Sequence, residues 1–322
     1  MTERVIAMKS LTADLRAALK TAMAQLRAAK VPSSTLSAEI LLMHVLDRDR
    51  AWIYTHPEAT IDPPTAQKYF ALIARRAAGE PTQYLTGKQE FWGLEFEVNR
   101  DVLIPRPETE HVIEVALERL GARGIRIRLD TGEPSPPLRV ADVGTGSGCL
   151  AVALAHELPH ATIVATDISA AALEVARRNA ARHAVADRIH FLETNLLEAC
   201  MHGPTITNHE SQVTSHESHL FDLIVSNPPY VAQNEAATLE REVRDHEPHA
   251  ALFGGPTGVE IYARLIEQTH SLLRSGGVLV LELGYNSAEH VLAIFAAQPG
   301  WTGISITNDL AGIPRVLAAI AV

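Results

Sequence analysis

From Leu138 onward the chain alternates short apolar runs with helical stretches, and this constrains the fold more than any other feature. Runs at 138–143, 162–166, 188–193, 221–226 and 277–283 read as strands, and helical stretches lie near 148–157, 169–183 and 258–274. Strands separated by helices are predicted to form a parallel α/β sheet covered on both faces. Two last strands, near 301–307 and 315–321, are joined by a short Gly/Pro turn and can pair as an antiparallel hairpin at one edge. Seven strands with such an ending are unusual for a dinucleotide-binding fold. No internal repeat is visible.

The front end differs. Leu11, Leu15, Leu19, Ala22, Leu26 and Ala29 recur at spacings of three and four, one apolar stripe of a helix that Pro32-Ser33-Ser34 breaks. A second apolar stretch surrounds Leu36, Ile40, Leu41 and Val45. Asp62-Pro63-Pro64 reads as an N-cap with proline in the first turn of a third helix ending near Gly79. Residues 1–80 are therefore expected to form a small helical domain. Residues 81–110 are expected to form a linker built on an aromatic hairpin, with Phe91, Trp92, Leu94, Phe96 and Val98 around Gly93. A helix to about Leu120 follows. The stretch 121–137 is rich in Gly and Pro and reads as a loop, and 111–322 forms the second domain.

Two domains suit 322 residues. The composition, 47% hydrophobic and 20% charged, rules out a disordered or collagen-like chain. No apolar run approaches a membrane span, and the start lacks the apolar core of a signal peptide. With only Cys149 and Cys200, at most one disulfide is possible, so a cytoplasmic protein with inert thiols is expected. Net charge is −10. Residues 1–80 carry 11 Lys and Arg against 8 Asp and Glu, leaving 17 against 30 for the remainder. A body of −13 is a poor match for nucleic-acid phosphates, so no stable nucleic-acid binding is expected.

Three constellations carry chemistry. Asp142-Val-Gly144-Thr145-Gly146-Ser147-Gly148 follows the first strand of the alternating region and opens a helix, where glycines let a ligand approach the backbone. Its G-x-G-x-G spacing departs from the G-x-G-x-x-G of NAD-binding proteins. Asp167, at the end of the next strand, can accept hydrogen bonds from both hydroxyls of a ribose or can cap the following helix. Ser226-Asn227-Pro228-Pro229-Tyr230 follows the fourth strand, on the rim where open α/β sheets bind ligands. The prolines stiffen the backbone and remove two donors. The Asn227 side-chain oxygen and the Pro228 carbonyl then suit a planar NH2 group, with Tyr230 as an aromatic plane beside it.

Together these residues resemble the class I S-adenosylmethionine-dependent methyltransferases of planar amino or amide nitrogens. RPETE (106–110), DVGTGSG (142–148), SNPPY (226–230), EPHAALFGGPTGVEIY (247–262) and DLAGIPRV (309–316), with the helical front end and hairpin, resemble the release-factor N5-glutamine methyltransferases. The resemblance covers nearly the whole chain. It implies a Rossmann-like seven-stranded class I methyltransferase sheet with a small N-terminal helical domain that docks the release factor. The implied cofactor is S-adenosyl-L-methionine, giving S-adenosyl-L-homocysteine. The implied substrate is the glutamine of the Gly-Gly-Gln motif in class 1 peptide chain release factors.

By the same resemblance, Asp142, the glycine loop 144–148, Asp167, Asn195, Leu196 and Asn227 hold the cofactor, Asn195 and Leu196 beside its adenine. Asn227, Pro228, Pro229 and Tyr230 hold the reacting amide, and Arg106–Glu110 closes over the site, with Glu108 shaping it. The chain departs from the family's usual pattern in the longer loop 121–137 and in an insertion at 202–220. That insertion holds His202, His209, His216 and His219 at spacings that match no closed zinc site, so an exposed loop and no metal are expected. The alternative activity is methylation of another planar nitrogen, adenine in nucleic acid or a glutamine of another protein such as a ribosomal one. Base methylation needs a flipping pocket and a basic channel, which the acidic body opposes. A non-catalytic binding protein is a further alternative, opposed by the intact NPPY. An NAD-dependent oxidoreductase fails on glycine spacing.

Overall fold

A computed structural model describes residues 14–123, 137–201 and 220–322. The chain divides into two compact units: residues to Gly87 together with Glu240–His246, and Lys88–Leu239 together with Glu247–Val322.

The first unit contains helices Leu15–Ala28, Ser34–Leu46, Arg50–Thr55, Pro63–Ala77 and Thr82–Thr86. The apolar stripe buries Leu15, Ala18, Ala22 and Leu26 as its spacing requires; Leu11 lies outside the described residues. Asp62 caps the Pro63 helix by accepting from the Thr65 N–H at 3.0 Å. The expected count of three helices misses two short ones, the first capped by Asp49 accepting from Trp52 N–H at 2.7 Å. The core gathers Leu26, Leu41, Leu42, Ile61, Tyr69 and Ile73. Helix Arg241–His246, far along the chain, also belongs here. Its Glu242 pairs with the buried guanidinium of Arg76 at 2.5 Å.

The hairpin placed between domains by its sequence belongs to the second unit, and the first unit runs on to Gly87. Strands β1 (Lys88–Phe91) and β2 (Leu94–Glu97) turn at Trp92 and Gly93, both at positive φ, the geometry of a two-residue hairpin turn. The physical reason for the reassignment is burial. Phe91 and Phe96 enter the core of the second unit beside Val112 and Ile113 of helix Glu110–Ala122. The Trp92 N–H donates to Glu110 at 2.8 Å, and the Trp92 indole to Glu157 at 3.0 Å.

The central sheet comprises β3 (Leu138–Val143), β4 (Ala161–Asp167), β5 (Ile189–Glu193) and β6 (Phe221–Ser226). After the small pair β7 (Val231–Ala232) and β8 (Phe253–Gly255), it continues with β9 (Leu273–Glu282), β10 (Trp301–Asn308) and β11 (Pro314–Ala321). Its order is β10-β11-β9-β6-β3-β4-β5. β3, β4, β5, β6 and β9 pair in parallel, and β10 and β11 pair as an antiparallel hairpin at one edge, as the sequence predicts; β11 also runs antiparallel to β9. Each face of the sheet carries its own apolar cluster. Helix Ala288–Ala297, absent from the sequence reading, buries Val291 and Phe295. Strand order reverses beside β3, whose neighbours are β4 on one side and β6 on the other. Ligands of open α/β sheets bind at such a reversal.

Candidate active site

The register sets the site. Val143 is paired with Ser226 on β6 and with Thr166 on β4. Gly144, Asn227 and Asp167 therefore leave the sheet side by side, and the Ser226 hydroxyl donates to the Val143 carbonyl at 2.7 Å. All three sequence constellations converge on this rim.

The glycine loop is tied down from beneath. Asp142 is fully buried; one carboxylate oxygen, Oδ2, accepts from the Thr145 hydroxyl at 2.6 Å and from Ala151 N–H at 3.0 Å. The other oxygen, Oδ1, is buried without a partner. Burial pushes this carboxyl up to about 7. Gly144 and Gly146 adopt positive φ, and a Cβ on either would meet nothing within 4 Å. The loop thus presents bare backbone to open space. A cradle that side chains would fill, above a buried acceptor without a donor, fits a ligand that carries an ammonium and approaches the backbone closely.

Asp167 accepts from Gly146 N–H and Ser169 N–H, both at 2.9 Å. Burial pushes its carboxyl up as well. Ser169 caps helix Ala170–Arg182, accepting from Ala172 N–H at 3.1 Å, so the capping alternative for Asp167 falls away. Each Asp167 oxygen keeps an acceptor site beyond its loop bond.

Asn227 is half-buried, and its Nδ2 donates to the Thr109 hydroxyl at 3.1 Å. A cleft of about 370 Å³, partly open to solvent, is lined by Asn227, the loop residues 144–147, Thr109, Arg106 and Cys149. The Cys149 thiol is buried, and burial pushes it up to about 12, far from the thiolate. Glu247 holds the cleft wall. Its carboxylate accepts from Arg106 at 2.5 Å and from Ile104 N–H at 3.4 Å.

The side chains of the other expected residues are not among those that line the cleft. Pro228 is buried. The Tyr230 ring packs so closely on Gly284 that a Cβ there would sit 2.6 Å from it, and its hydroxyl points to Glu282 at 3.5 Å. Leu196 packs on the apolar cluster of one sheet face, and neither it nor Asn195 lines the cleft. Glu108 acts at a distance, its charge felt by Tyr230, Glu282 and Arg315. His202, His209, His216 and His219, and most of the loop 121–137, lie outside the described residues. Among the described residues, no helix is long and apolar enough to cross a membrane.

Sequence reasoning missed three residues. Thr109 sits inside RPETE, and Glu247 opens a motif quoted above without a role. Glu282 ends an apolar strand with its carboxyl 1% exposed. A lone acid closing such a run was the available signal.

Comparison with known proteins places the chain. Residues 17–87 match the family model described as PrmC N-terminal domain, and residues 129–245 match methyltransferase small domain. A release factor glutamine methyltransferase of Koribacter versatilis is 44% identical, the match covering 94% of this chain and 97% of that one. Another, of Chlorobaculum tepidum, is 41% identical over 94% of this chain and 96% of its own. Among solved structures, the hMettl16 catalytic domain in complex with a 3′UTR hairpin aligns with a TM-score of 0.50 at 17% identity. That alignment covers 81% of this chain and 84% of that one, a likeness of fold alone. With the methyltransferase sheet, the helical front unit and relatives this similar along nearly their whole length, the chain belongs to the release factor glutamine methyltransferase family.

Proposed function

We propose that this protein transfers a methyl group from S-adenosyl-L-methionine to the side-chain amide nitrogen (N5) of the glutamine in the Gly-Gly-Gln motif of class 1 peptide chain release factors, a cytoplasmic reaction. One observation carries the reading: Asn227 gives its amide nitrogen to Thr109, which leaves its oxygen as an acceptor in the cleft that the glycine loop lines. When bound, S-adenosyl-L-methionine supplies an electrophilic methyl on a sulfonium. The residues fitted to hold it are the loop 144–148, Asp142 through its unpartnered oxygen, and Asp167.

An amide nitrogen is a poor nucleophile because its lone pair is delocalised into the carbonyl. Two fixed acceptors, Asn227 Oδ1 and the Pro228 carbonyl, hold both N–H bonds and set the angle at which the lone pair is presented. Positioning therefore supplies most of the rate, and no strong base is needed before attack, since the nitrogen becomes acidic once methylated. Pro228 and Pro229 keep donors out of the acceptor side, and Tyr230 and Gly284 lock the turn that carries them. Arg106, held by Glu247, fixes the opposite wall.

The test is incubation with methyl-labelled S-adenosyl-L-methionine and a class 1 release factor, then peptide mass analysis. The label is expected on the Gly-Gly-Gln glutamine, and Asn227→Ala is expected to slow transfer by on the order of 100-fold with cofactor affinity within a few-fold. Label on nucleic acid, or normal turnover by Asn227→Ala, would refute the reading.

A further inference from the structure

Asn179 is fully buried on helix Ala170–Arg182, and its amide joins two segments that lie far apart in the sequence. Its Oδ1 accepts from Glu97 N–H at 2.7 Å, and its Nδ2 donates to the Glu97 carbonyl at 3.0 Å. The carboxamide thus bonds the last residue of β2 as the backbone of a neighbouring strand would. Nδ2 also donates to the Ser147 carbonyl at 2.8 Å. A backbone N–H only donates and a carbonyl only accepts, so these three bonds fix which end of the amide faces which segment.

Ser147 is 2% exposed and belongs to the glycine loop that lines the cleft. Gly144, Gly146 and Gly148 all hold positive φ, and a backbone this permissive costs entropy to order. The entry of the loop is pinned by Gly144 N–H and Thr145 N–H on the Thr166 carbonyl at 2.9 and 2.8 Å, and its middle by Gly146 N–H on Asp167. Its exit is pinned by Asn179 on the Ser147 carbonyl, with Gly148 N–H on the Thr145 carbonyl at 2.8 Å. The helix comes close enough to do this because Gly148 has no side chain. A Cβ there would sit 3.1 Å from the Cβ of Ala176, on the same helix face as Asn179. On the other side, Phe96 anchors β2 in the core next to Glu97.

We propose that Asn179 is a positioning residue for the cofactor: it carries the rigid placement of the β1–β2 hairpin into the glycine loop and holds the loop in its binding shape before S-adenosyl-L-methionine arrives. This rests on the reading of that loop as the cofactor's seat. Asn179 does not line the cleft and acts through Ser147.

Asn179→Ala removes all three bonds. Calorimetry with S-adenosyl-L-homocysteine is expected to show affinity lower by about 10-fold or more, because the ligand must now order the loop itself. At saturating cofactor, turnover and the KM for release factor should stay within about threefold, since the loss falls on cofactor binding. Two controls separate positioning from lost stability. Val291→Ala opens a cavity in the apolar cluster of one sheet face and lowers the unfolding midpoint. Glu97→Ala breaks the exposed pairing with Arg178 and keeps the Glu97 backbone bonds. Both should bind within about twofold of the wild type. Asn179→Ser is the milder variant if the alanine form does not fold. It leaves a hydroxyl and room for a water, its side chain is too short to span to Ser147, and it should lose at least about threefold.

A second readout needs no ligand. In the free protein, hydrogen exchange at Gly148 N–H should quicken by at least about 10-fold in Asn179→Ala, with a smaller change of the same kind in Asn179→Ser. Gly144 N–H, held by Thr166 at the other end of the loop, should keep its rate within about threefold.

Wild-type affinity in the Asn179 variants, an equal loss of affinity in Val291→Ala, or exchange that quickens alike at Gly144 and Gly148 would each overturn the proposal. The cofactor reading fails separately. A wild type that does not bind S-adenosyl-L-homocysteine rejects that reading and this role with it, whereas equal binding by the wild type and the Asn179 variants rejects the role of Asn179 alone.

Discussion

Glu247 grips Arg106 across 141 residues of sequence, its carboxylate 2.5 Å from the guanidinium and 1% exposed. The same carboxylate receives Ile104 N–H, so one side chain ties down two residues of the segment that carries the cleft wall. Glu247→Ala frees that wall and leaves a partly exposed guanidinium that water can reach. The expected cost is about 2 kcal/mol in urea unfolding, within the range for a charge-assisted hydrogen bond. A several-fold rise in the KM for release factor should accompany it. A stability loss with unchanged KM would detach Arg106 from substrate handling.

Asp167 bonds the glycine loop and keeps an acceptor site on each oxygen. Asp167→Ala should weaken cofactor binding by about 10- to 100-fold, one or two charge-assisted bonds, with turnover at saturation nearly retained. Asp167→Asn separates two causes. It keeps an oxygen for Gly146 N–H and replaces the other acceptor with a donor. Calorimetry with S-adenosyl-L-homocysteine should show both variants weakened. Wild-type affinity in Asp167→Asn would mean that holding the loop is the whole of its role.

Asp142 carries a pH signature. Its carboxyl has an ordinary value of 3.8, and burial pushes it up to about 7. The folded protein holds the proton more tightly than the unfolded chain. Stability from this group is therefore complete below about pH 4 and is lost as pH rises through 7, by up to about 1.4 kcal/mol per pH unit. Asp142→Asn does not titrate. Urea unfolding from pH 5 to pH 8 should show the variant gaining on the wild type as pH rises. Parallel curves would mean that the carboxyl ionises without penalty.

The parts of the site readable in the sequence are those written in contiguous residues. The glycine loop and NPPY are local turns whose chemistry lies in their own backbone, and strand–helix alternation places both on one rim. Thr109, Glu247 and Glu282 meet partners 118, 141 and 52 residues away, distances that only the fold converts into contacts. Helix Arg241–His246 left no apolar period because it joins its unit through Glu242 and Arg76, a charge pair. Helix Ala288–Ala297 did leave one in Val291 and Phe295, four apart, on a segment apolar enough to blur it. The hairpin's aromatic residues announced a buried face without saying which unit would bury it.

The last expectation concerns the helical unit. A glutamine on a glycine-flanked tip can enter a narrow cleft, yet specific protein contacts usually need about 800 Å² per partner, which a tripeptide cannot supply. A second contact surface is required. Among the described residues that line the cleft none comes from the helical unit, whose sequence has a charge of opposite sign to the rest, so it is the candidate. A chain beginning at Lys88 loses that unit and leaves helix Arg241–His246 without its Arg76 partner. Glu242 is then solvated rather than stranded, so the damage should stay local. The shortened chain is expected to bind S-adenosyl-L-homocysteine within a few-fold of the full one. On an intact release factor it should lose at least about 10-fold in kcat/KM, mostly through KM, because the docking energy is gone. A free Gly-Gly-Gln peptide should be equally poor for both chains, since it never reaches the second surface. Measuring both chains on both substrates decides the matter: equal loss on peptide and protein would place the damage in the cleft and remove the docking role from the helical unit.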